Sequence, residues 1–307
     1  MSDIIFVENN KLSAIDNNLP YLHESMIMIT DKYGIISFKD LWDRTETVIN
    51  KLDGYEEKQI DACSVLDRDG WTKILNIKRH VKNPTAKIMF MGIRGGQFLI
   101  CQDNHPHMLS NLNDSDQHFK ETILTEKSNY ENYKVVTHNQ VAKYFGKTDD
   151  ELIEIICKSL NAERLEITRN IVSFKSDSLE KIQKLMILLC YFNISVGIRP
   201  IMENHKNKQL FNLFFAPTSS QKGYFNTCNQ MKSFRYLPDQ FVNRHTDMIS
   251  VYKELPFYNE DFLYDICTET STFIANGVWE HNSGGAVKLE NKDVLKDLVE
   301  NGKGLEK

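Results

Sequence analysis

Short runs of β-branched and aromatic residues, each ended by glycine or aspartate, fill most of the first third of the chain. After a polar, asparagine-rich start, MIMIT (26–30) and IISF (35–38) flank a turn at 31–34. SVLDRDGWTKILNI (64–77), AKIMFMGI (86–93) and GGQFLICQ (95–102) follow, with turns at 69–70 and 95–96. Runs of this kind are typical of short strands. The pattern predicts an all-β segment.

The middle of the chain follows a different pattern. TDDELIEIICKSLNAE (148–163) and SLEKIQKLMILLCYF (178–192) repeat apolar residues at helical spacing. The segments 164–176, 195–202 and 209–217 have the composition of strands. Residues 130–225 are therefore predicted to form an α/β insert, after which the strand pattern returns at 249–255, 261–268 and 272–279.

Composition narrows the class of protein. A length of 307 residues predicts about two domains, and 41% hydrophobic with 26% charged residues is enough to bury a core. The net charge of −5 excludes a uniformly basic protein but not a local basic patch. The six cysteines are widely spaced with no CxxC pair, which argues against a zinc ribbon and for a reduced, intracellular protein. With no apolar run of about 18 residues and no signal-peptide pattern at the start, we expect a cytoplasmic protein.

The run His281-Asn282-Ser283 follows the last predicted strand. A polar turn is the simplest interpretation. The alternative is chemical: the Asn282 amide can attack its own backbone carbonyl, close a succinimide and break the bond to the next residue. His281 can protonate the leaving amine, and Ser283 supplies a hydroxyl nucleophile. Because the groups are neighbours in the chain, proximity favours the reaction.

Two further candidate site residues lie in or next to predicted strands. His105, in the run QDNHP after the strand FLIC, is either a surface histidine in a turn or a group that polarises a peptide bond. Asp265 lies in the strand FLYDIC just before the His-Asn pair. If its side chain is buried, it needs a partner or a raised pKa.

Four segments in order resemble an intein, a protein-splicing element with the mainly β Hint horseshoe fold. They are MIMITDKYGIISFKDL (26–41), FLICQDNHPHML (98–109), FLYDICTETSTFIANGVW (262–279) and the final HN followed by serine. The resemblance implies that His105 activates the upstream scissile bond and Asp265 coordinates the steps. It also implies that His281 assists Asn282, the cyclising residue, and that Ser283 begins the downstream flank. No cofactor is implied for splicing.

The sequence departs from the intein pattern at two positions. The family usually begins with Cys or Ser about five residues before the first strand, where this chain has Tyr21; Ser25 is the nearest alternative nucleophile. Gln102 stands three residues before His105, where the family usually has threonine. Two routes remain open: direct attack of Ser283 on the upstream junction, or downstream cleavage alone through Asn282.

The insert resembles a half of a LAGLIDADG homing endonuclease. ICKSLNAER (156–164) is similar to the family's helix, with Glu163 at the place of the metal-binding acid. Residues 170–235 hold nine basic and three acidic side chains, as expected of a surface that meets phosphates. The residues predicted to bind DNA are Lys175, Lys181, Lys184, Arg199, Lys206 and Lys208. An active enzyme needs two acids around its metal ions, so Mg²⁺ is expected only if the insert is active, and we favour a degenerate remnant.

These interpretations divide the chain into five segments. The predicted host flanks, which are the partners of the splicing reaction, are residues 1–20 and 283–307. The two parts of the Hint domain are predicted at 21–125 and 236–282. The insert is predicted at 126–235. Two alternatives remain: a DNA-binding homing endonuclease, and a Hint module that no longer processes itself.

Overall fold

A computed structural model describes residues 21–52, 54–82, 85–113, 118–203, 208–239, 247–256 and 262–282. The predicted flanks 1–20 and 283–307 lie outside these ranges, and so does Ser283. Most of the regular structure is antiparallel β-sheet, which confirms the mainly β prediction. In the described part of the chain no helix is both long and apolar enough to cross a membrane.

The strands are numbered in chain order. The first twelve are β1 Leu22–His23, β2 Ile27–Thr30, β3 Gly34–Ser37, β4 Val48–Leu52, β5 Tyr55–Gln59, β6 Ser64–Asp67, β7 Gly70–Val81, β8 Ile88–Ile93, β9 Phe98–Gln102, β10 Pro106–Asn111, β11 Lys120–Ile123 and β12 Tyr133–Lys134. The others are β13 Glu166–Thr168, β14 Ile171–Ser176, β15 Ser195–Glu203, β16 Lys208–Ala216, β17 Ile249–Glu254, β18 Phe262–Thr268, β19 Thr272–Ala275 and β20 Val278–His281.

In the described residues, three α-helices lie among these strands: α1 Phe38–Arg44, α2 Asp149–Ala162 and α3 Leu179–Tyr191. Short 3₁₀ helices occupy Tyr130–Asn132, Val141–Phe145, Ser219–Phe225 and Asn229–Met231. The helices predicted over 148–163 and 178–192 are α2 and α3. Thr148 begins α2 with a capping box to Glu151, and Ser178 caps α3 by accepting from the Lys181 N–H.

The largest sheet joins the beginning of the chain to its end. Its strand order is β17-β8-β9-β1-β18-β7-β6-β2-β19-β20, and β3, β4 and β5 extend it as side branches. Strand β1 lies between β9 and β18, with Leu22 opposite both Cys101 and Tyr264. A second sheet has the order β11-β10-β12. The order therefore brings the first described residues and the strands that lead to residue 282 into one sheet.

The middle segment has its own four-stranded antiparallel sheet, in the order β13-β14-β16-β15. Helix α3 buries Leu185, Met186 and Leu189, and strand β16 alternates buried and half-buried residues as a one-sided sheet requires. The middle segment packs closely on the turn between β8 and β9: the Cys190 Sγ of α3 donates to the Gly95 carbonyl (3.1 Å), and a Cβ at Gly96 would lie 2.7 Å from the Val196 Cβ of β15.

Two local features differ from the sequence expectation. Helix α1 occupies a place where no helix was predicted; Ser37 begins it by accepting a hydrogen bond from the Asp40 N–H (3.0 Å). The segment 272–279, predicted as a strand, is instead part of a hairpin. Asn276 and Gly277 both have positive φ (+49° and +80°), the geometry of a tight two-residue turn between β19 and β20.

Candidate functional site

The predicted upstream position, residue 21, lies against the end of strand β9. The Gln102 N–H donates to the Tyr21 carbonyl oxygen across 3.0 Å. This bond continues the pairing of β1 with β9 by one residue beyond Leu22. Gln102 therefore contacts residue 21 through its backbone, which any residue type at position 102 except proline could do.

The Tyr21 side chain is part of the protein core. Its side chain is 1% exposed, and its ring stacks on His80 with centroids 5.6 Å apart and 21° between the planes. A large aromatic side chain packed in this way fills the space of the site. Tyr21 is therefore held by packing and not presented as an attacking group.

Ser25, the alternative nucleophile, lies in the turn between β1 and β2. Its hydroxyl lies 2.6 Å from the His23 Nδ1, and its backbone N–H donates to the same nitrogen (3.1 Å). A hydroxyl beside an imidazole is the usual arrangement of an activated nucleophile. Ser25 nevertheless lies half-buried in a turn, four residues after Tyr21 and beyond a strand that is paired on both sides.

His105, the predicted activating histidine, is completely buried in the turn between β9 and β10. Its backbone N–H donates to the Gln102 carbonyl (3.0 Å), which closes the turn. Its Nε2 lies 3.2 Å from the Glu280 Oε2. The imidazole of the upstream motif thus contacts a carboxylate two residues before Asn282.

Glu280 also contacts a second buried histidine. The His107 Nδ1 lies 3.3 Å and 3.2 Å from the two Glu280 carboxylate oxygens, and the rings of His105 and His107 meet edge to face at 5.0 Å. Burial by itself would raise the pKa of Glu280, but the imidazoles of His107 and His105 hold this pKa below its ordinary value. Neither His107 nor Glu280 was predicted as a site residue. The alternation in His-Pro-His, which directs both rings to one side of a strand, is the sequence signal that could have indicated His107.

The Asn282 side chain is completely buried and fixed by two backbone groups. With the amide oriented to satisfy both atoms, Nδ2 donates to the Ser271 carbonyl (3.0 Å) and Oδ1 accepts from the Thr268 N–H (3.1 Å). The Asn282 backbone N–H also donates to the Ser271 carbonyl (3.0 Å). The amide is thus held at the end of β18, and cyclisation requires the bond from Nδ2 to Ser271 to break.

His281 lies on the opposite side of β20 from Glu280, as alternation along a strand requires. Its Nε2 forms an ion-pair contact with the Glu121 Oε1 at 3.2 Å. Its Nδ1 is buried with no hydrogen-bond partner among the described residues.

Asp265 is 1% exposed on strand β18, opposite Lys78 of β7. Burial would lower the pKa of Lys78, but the charges of Cys267 and Asp265 raise it above its ordinary value. Burial and then the Asp265 charge raise the pKa of Cys267 to about 11. Three residues further along the same strand, Thr268 holds the Asn282 amide.

Glu163, the predicted metal ligand of the insert, ends helix α2 and accepts an ion-paired hydrogen bond from Lys181 (2.8 Å). In the described ranges, three side chains form a group of possible metal ligands: His105, His107 and Glu280. Their ligand atoms lie within 4.8 Å of one another. Glu163 is not a member of that group, and its carboxylate pairs with Lys181.

The residues predicted to bind DNA differ in their surroundings. Lys184 and Arg199 are exposed, and the Arg199 guanidinium lies over the Phe214 ring at 5.3 Å. Lys206 lies outside the described residues. The other three form ion pairs: Lys175 with Glu166, Lys181 with Glu163, and Lys208 with Asp177. These acids reduce the positive charge that the surface offers to phosphates.

No family model and no curated protein matches the sequence. Among solved structures, the chain is similar to an intein from a hyperthermophile, with 8% identity, a TM-score of 0.39, and coverage of 85% of this chain and 99% of that one. The PabCDC21-1 intein gives 9% identity, a TM-score of 0.39, and coverage of 86% and 98%. The Mvu mini-intein of transcription factor IIB gives 11% identity, a TM-score of 0.39, and coverage of 86% and 99%. These likenesses are too remote to assign the chain to a family.

Proposed function

We propose that this chain is a self-processing element of the intein type, in which Asn282 cyclises and breaks the peptide bond to Ser283. The observation that supports the proposal is that the predicted upstream junction and the strand that leads to Asn282 contact one turn. Gln102 donates to the Tyr21 carbonyl across 3.0 Å, and His105, three residues later, contacts Glu280 at 3.2 Å. Transfer of an acyl group between two chain positions requires this proximity.

In the upstream step the Ser283 hydroxyl attacks the carbonyl carbon of residue 20. A bond from the Ser283 Oγ to that carbon forms, and the bond from the carbon to the Tyr21 nitrogen breaks. Asp265 accepts the hydroxyl proton, and His105 donates a proton to the leaving Tyr21 amine. Ser283 has this role because Tyr21 is buried and stacked on His80.

In the downstream step the Asn282 Nδ2 attacks the Asn282 carbonyl carbon. The ring closes, the bond to the Ser283 nitrogen breaks, Nδ2 loses a proton, and His281 supplies the proton that the leaving amine takes up. The Thr268 N–H and the Ser271 carbonyl hold the amide in one orientation before the reaction, and the bond from Nδ2 to Ser271 breaks as Nδ2 attacks. The freed Ser283 amine then takes the acyl group from its own oxygen, which converts the ester to an amide.

Downstream cleavage alone is the simpler outcome of the same site. It needs Asn282 and its neighbours but not the upstream attack. An intact-mass measurement after incubation at neutral pH distinguishes the two outcomes. Splicing joins residues 1–20 to 283–307, whereas downstream cleavage releases 283–307 and leaves 1–282 lighter by one water than the hydrolysed fragment.

The decisive variant is Asn282→Ala, which has no amide to cyclise. We expect it to stay at full length, while Asn226→Ala, at an exposed asparagine, processes like the unmodified chain. An unmodified chain that stays at full length would favour the alternative of a module that no longer processes itself. DNA binding by the insert remains a weaker alternative, because three of its predicted contact lysines are ion-paired.

A further inference from the structure

His105, His107 and Glu280 form a cluster that the proposed splicing steps use only in part. All three side chains have no exposed surface. Each offers one ligand atom, and these atoms lie within 4.8 Å of one another. Splicing assigns a proton transfer to His105 and gives no task to His107 or Glu280.

The distances in the cluster are compatible with a shared ion as well as with long hydrogen bonds. The His105 Nε2 and the His107 Nδ1 each lie 3.2 Å from the Glu280 Oε2. Charge-assisted hydrogen bonds between nitrogen and carboxylate are shorter, about 2.7–2.9 Å. Ligands bound tetrahedrally to zinc at about 2.0–2.1 Å are separated from each other by roughly 3.3 Å.

The surroundings of the rings have the features of a metal site. The non-facing nitrogen of His107, Nε2, lies 3.8 Å from the Cys101 Sγ, so a second partner fixes the ring orientation, as around most ligating histidines. The edge of the Tyr252 ring packs at 6.3 Å from His107 and shields it. A metal ion would also balance the charge of the buried Glu280 carboxylate, which the two imidazoles balance only when one of them is protonated.

We propose that His105, His107 and Glu280 bind one Zn²⁺ ion, through His105 Nε2, His107 Nδ1 and the carboxylate. Two imidazoles and one carboxylate are a ligand set that zinc commonly takes, with a fourth position left for water. Since the cluster has no exposed surface, the ion enters as the chain folds. The ion fastens β20 to the turn between β9 and β10. It leaves His105 Nδ1 unligated. Because a zinc-bound imidazole is no longer an imidazolium acid, the proton transfer assigned to His105 belongs to the metal-free chain, and zinc binding does not depend on the splicing proposal.

The test measures metal in the full chain carrying Asn282→Ala, which removes any effect of processing. The protein is unfolded in urea in the presence of a chelator, freed of the chelator, and refolded with Zn²⁺ or Co²⁺. Bound zinc is measured by mass spectrometry, and bound cobalt is measured by its visible absorption. We expect about one ion per chain and the intense absorption of four-coordinate cobalt. We also expect the zinc-loaded protein to unfold at a higher temperature than the metal-free protein.

Glu280→Gln and His107→Gln should each weaken binding by at least about tenfold, whereas His118→Gln, at an exposed histidine, should not. Cys101→Ala tests the same site without removing a ligand, and we expect a smaller loss of affinity. Folded protein that takes up neither ion would overturn the proposal. Equal uptake by the parent chain, Glu280→Gln and His107→Gln would overturn it as well, because the ion would then bind elsewhere.

Discussion

Gln183, on helix α3, donates its side-chain amide to the Ser25 carbonyl across 2.8 Å. The same amide reaches the Asn276 Oδ1 at 3.4 Å, and the Asn276 amide donates to the Phe98 carbonyl. One buried glutamine of the middle segment thus joins the turn after β1 to the turn between β19 and β20. Both turns adjoin strands that lead to the proposed junctions.

Replacing Gln183 with leucine should destabilise the protein by about 1–3 kcal/mol, because the Ser25 carbonyl and the Asn276 Oδ1 lose their buried donor. Urea unfolding measures the change. Lys184→Ala, the exposed neighbour on the same helix, should change the free energy of unfolding by less than about 0.5 kcal/mol. If Gln183→Leu unfolds at the same urea concentration as the parent chain, this amide does not hold the two turns.

Asp67 holds the β19–β20 hairpin against β6. Its carboxylate accepts hydrogen bonds from the Trp279 indole (2.7 Å) and from the hydroxyls of Thr270 (2.7 Å) and Thr272 (2.8 Å). We expect Asp67→Ala to cost about 2–4 kcal/mol, since three donors lose an ionised acceptor. Urea unfolding followed by tryptophan fluorescence measures the loss, and Asp69→Ala, at an exposed position, is the control. Equal stability of the two variants would contradict this role.

Local sequence patterns predicted the regular elements well where the elements are long or carry clear end signals. The predicted helix 148–163 coincides with α2 because Thr148 and Glu151 form a capping box at its start. Helix α1 was missed because it has only seven residues, too few for apolar periodicity to be visible. The Asn276-Gly277 pair is a strong hairpin signal that the strand interpretation did not use.

The sequence predicted only the part of the candidate site whose residues are adjacent in the chain. The spacing of residues 281–283 indicates the cyclisation chemistry without any structure. The contact of Glu280 with His105 and His107 joins residues more than 170 positions apart, and no local pattern encodes it. The packing of Tyr21 on His80 is likewise a tertiary contact. The residue type at position 21 could therefore indicate only that the usual nucleophile is absent.

The buried thiols make stability sensitive to alkaline pH. Burial raises the pKa of Cys190 from its ordinary value of 9.0 to about 12. Because the folded pKa is the higher one, the folded chain retains a proton that the unfolded chain loses. The stabilisation is complete below about pH 9 and is lost as the pH rises toward about 12.

We therefore expect the free energy of unfolding to fall more steeply with pH in the parent chain than in Cys190→Ala. The difference in slope is at most about 1.4 kcal/mol per pH unit above pH 9. Urea unfolding between pH 7 and pH 11 tests it, and the two curves should run parallel below about pH 8. Parallel curves over the whole range would show that folding does not raise the pKa of the Cys190 thiol.

Tyr21 should be replaceable by phenylalanine at small cost but not by cysteine. Tyr21→Phe keeps the ring that stacks on His80, so we expect a loss of less than about 1.5 kcal/mol. Tyr21→Cys removes that ring from a site with 1% exposure, and the resulting cavity should cost about 2–5 kcal/mol. Thermal and urea unfolding of both variants measure this difference.

The same pair tests whether the upstream machinery still works around a thiol. In an Asn282→Ala background, Tyr21→Cys should allow a thiol reductant to release residues 1–20, since a thiolate can take the acyl group as a thioester. Tyr21→Phe should release nothing, because its side chain has no nucleophile. Intact mass reports both. If Tyr21→Cys folds but releases no fragment, the turn at residues 102–105 holds residue 21 without activating its upstream bond, and processing is then confined to Asn282.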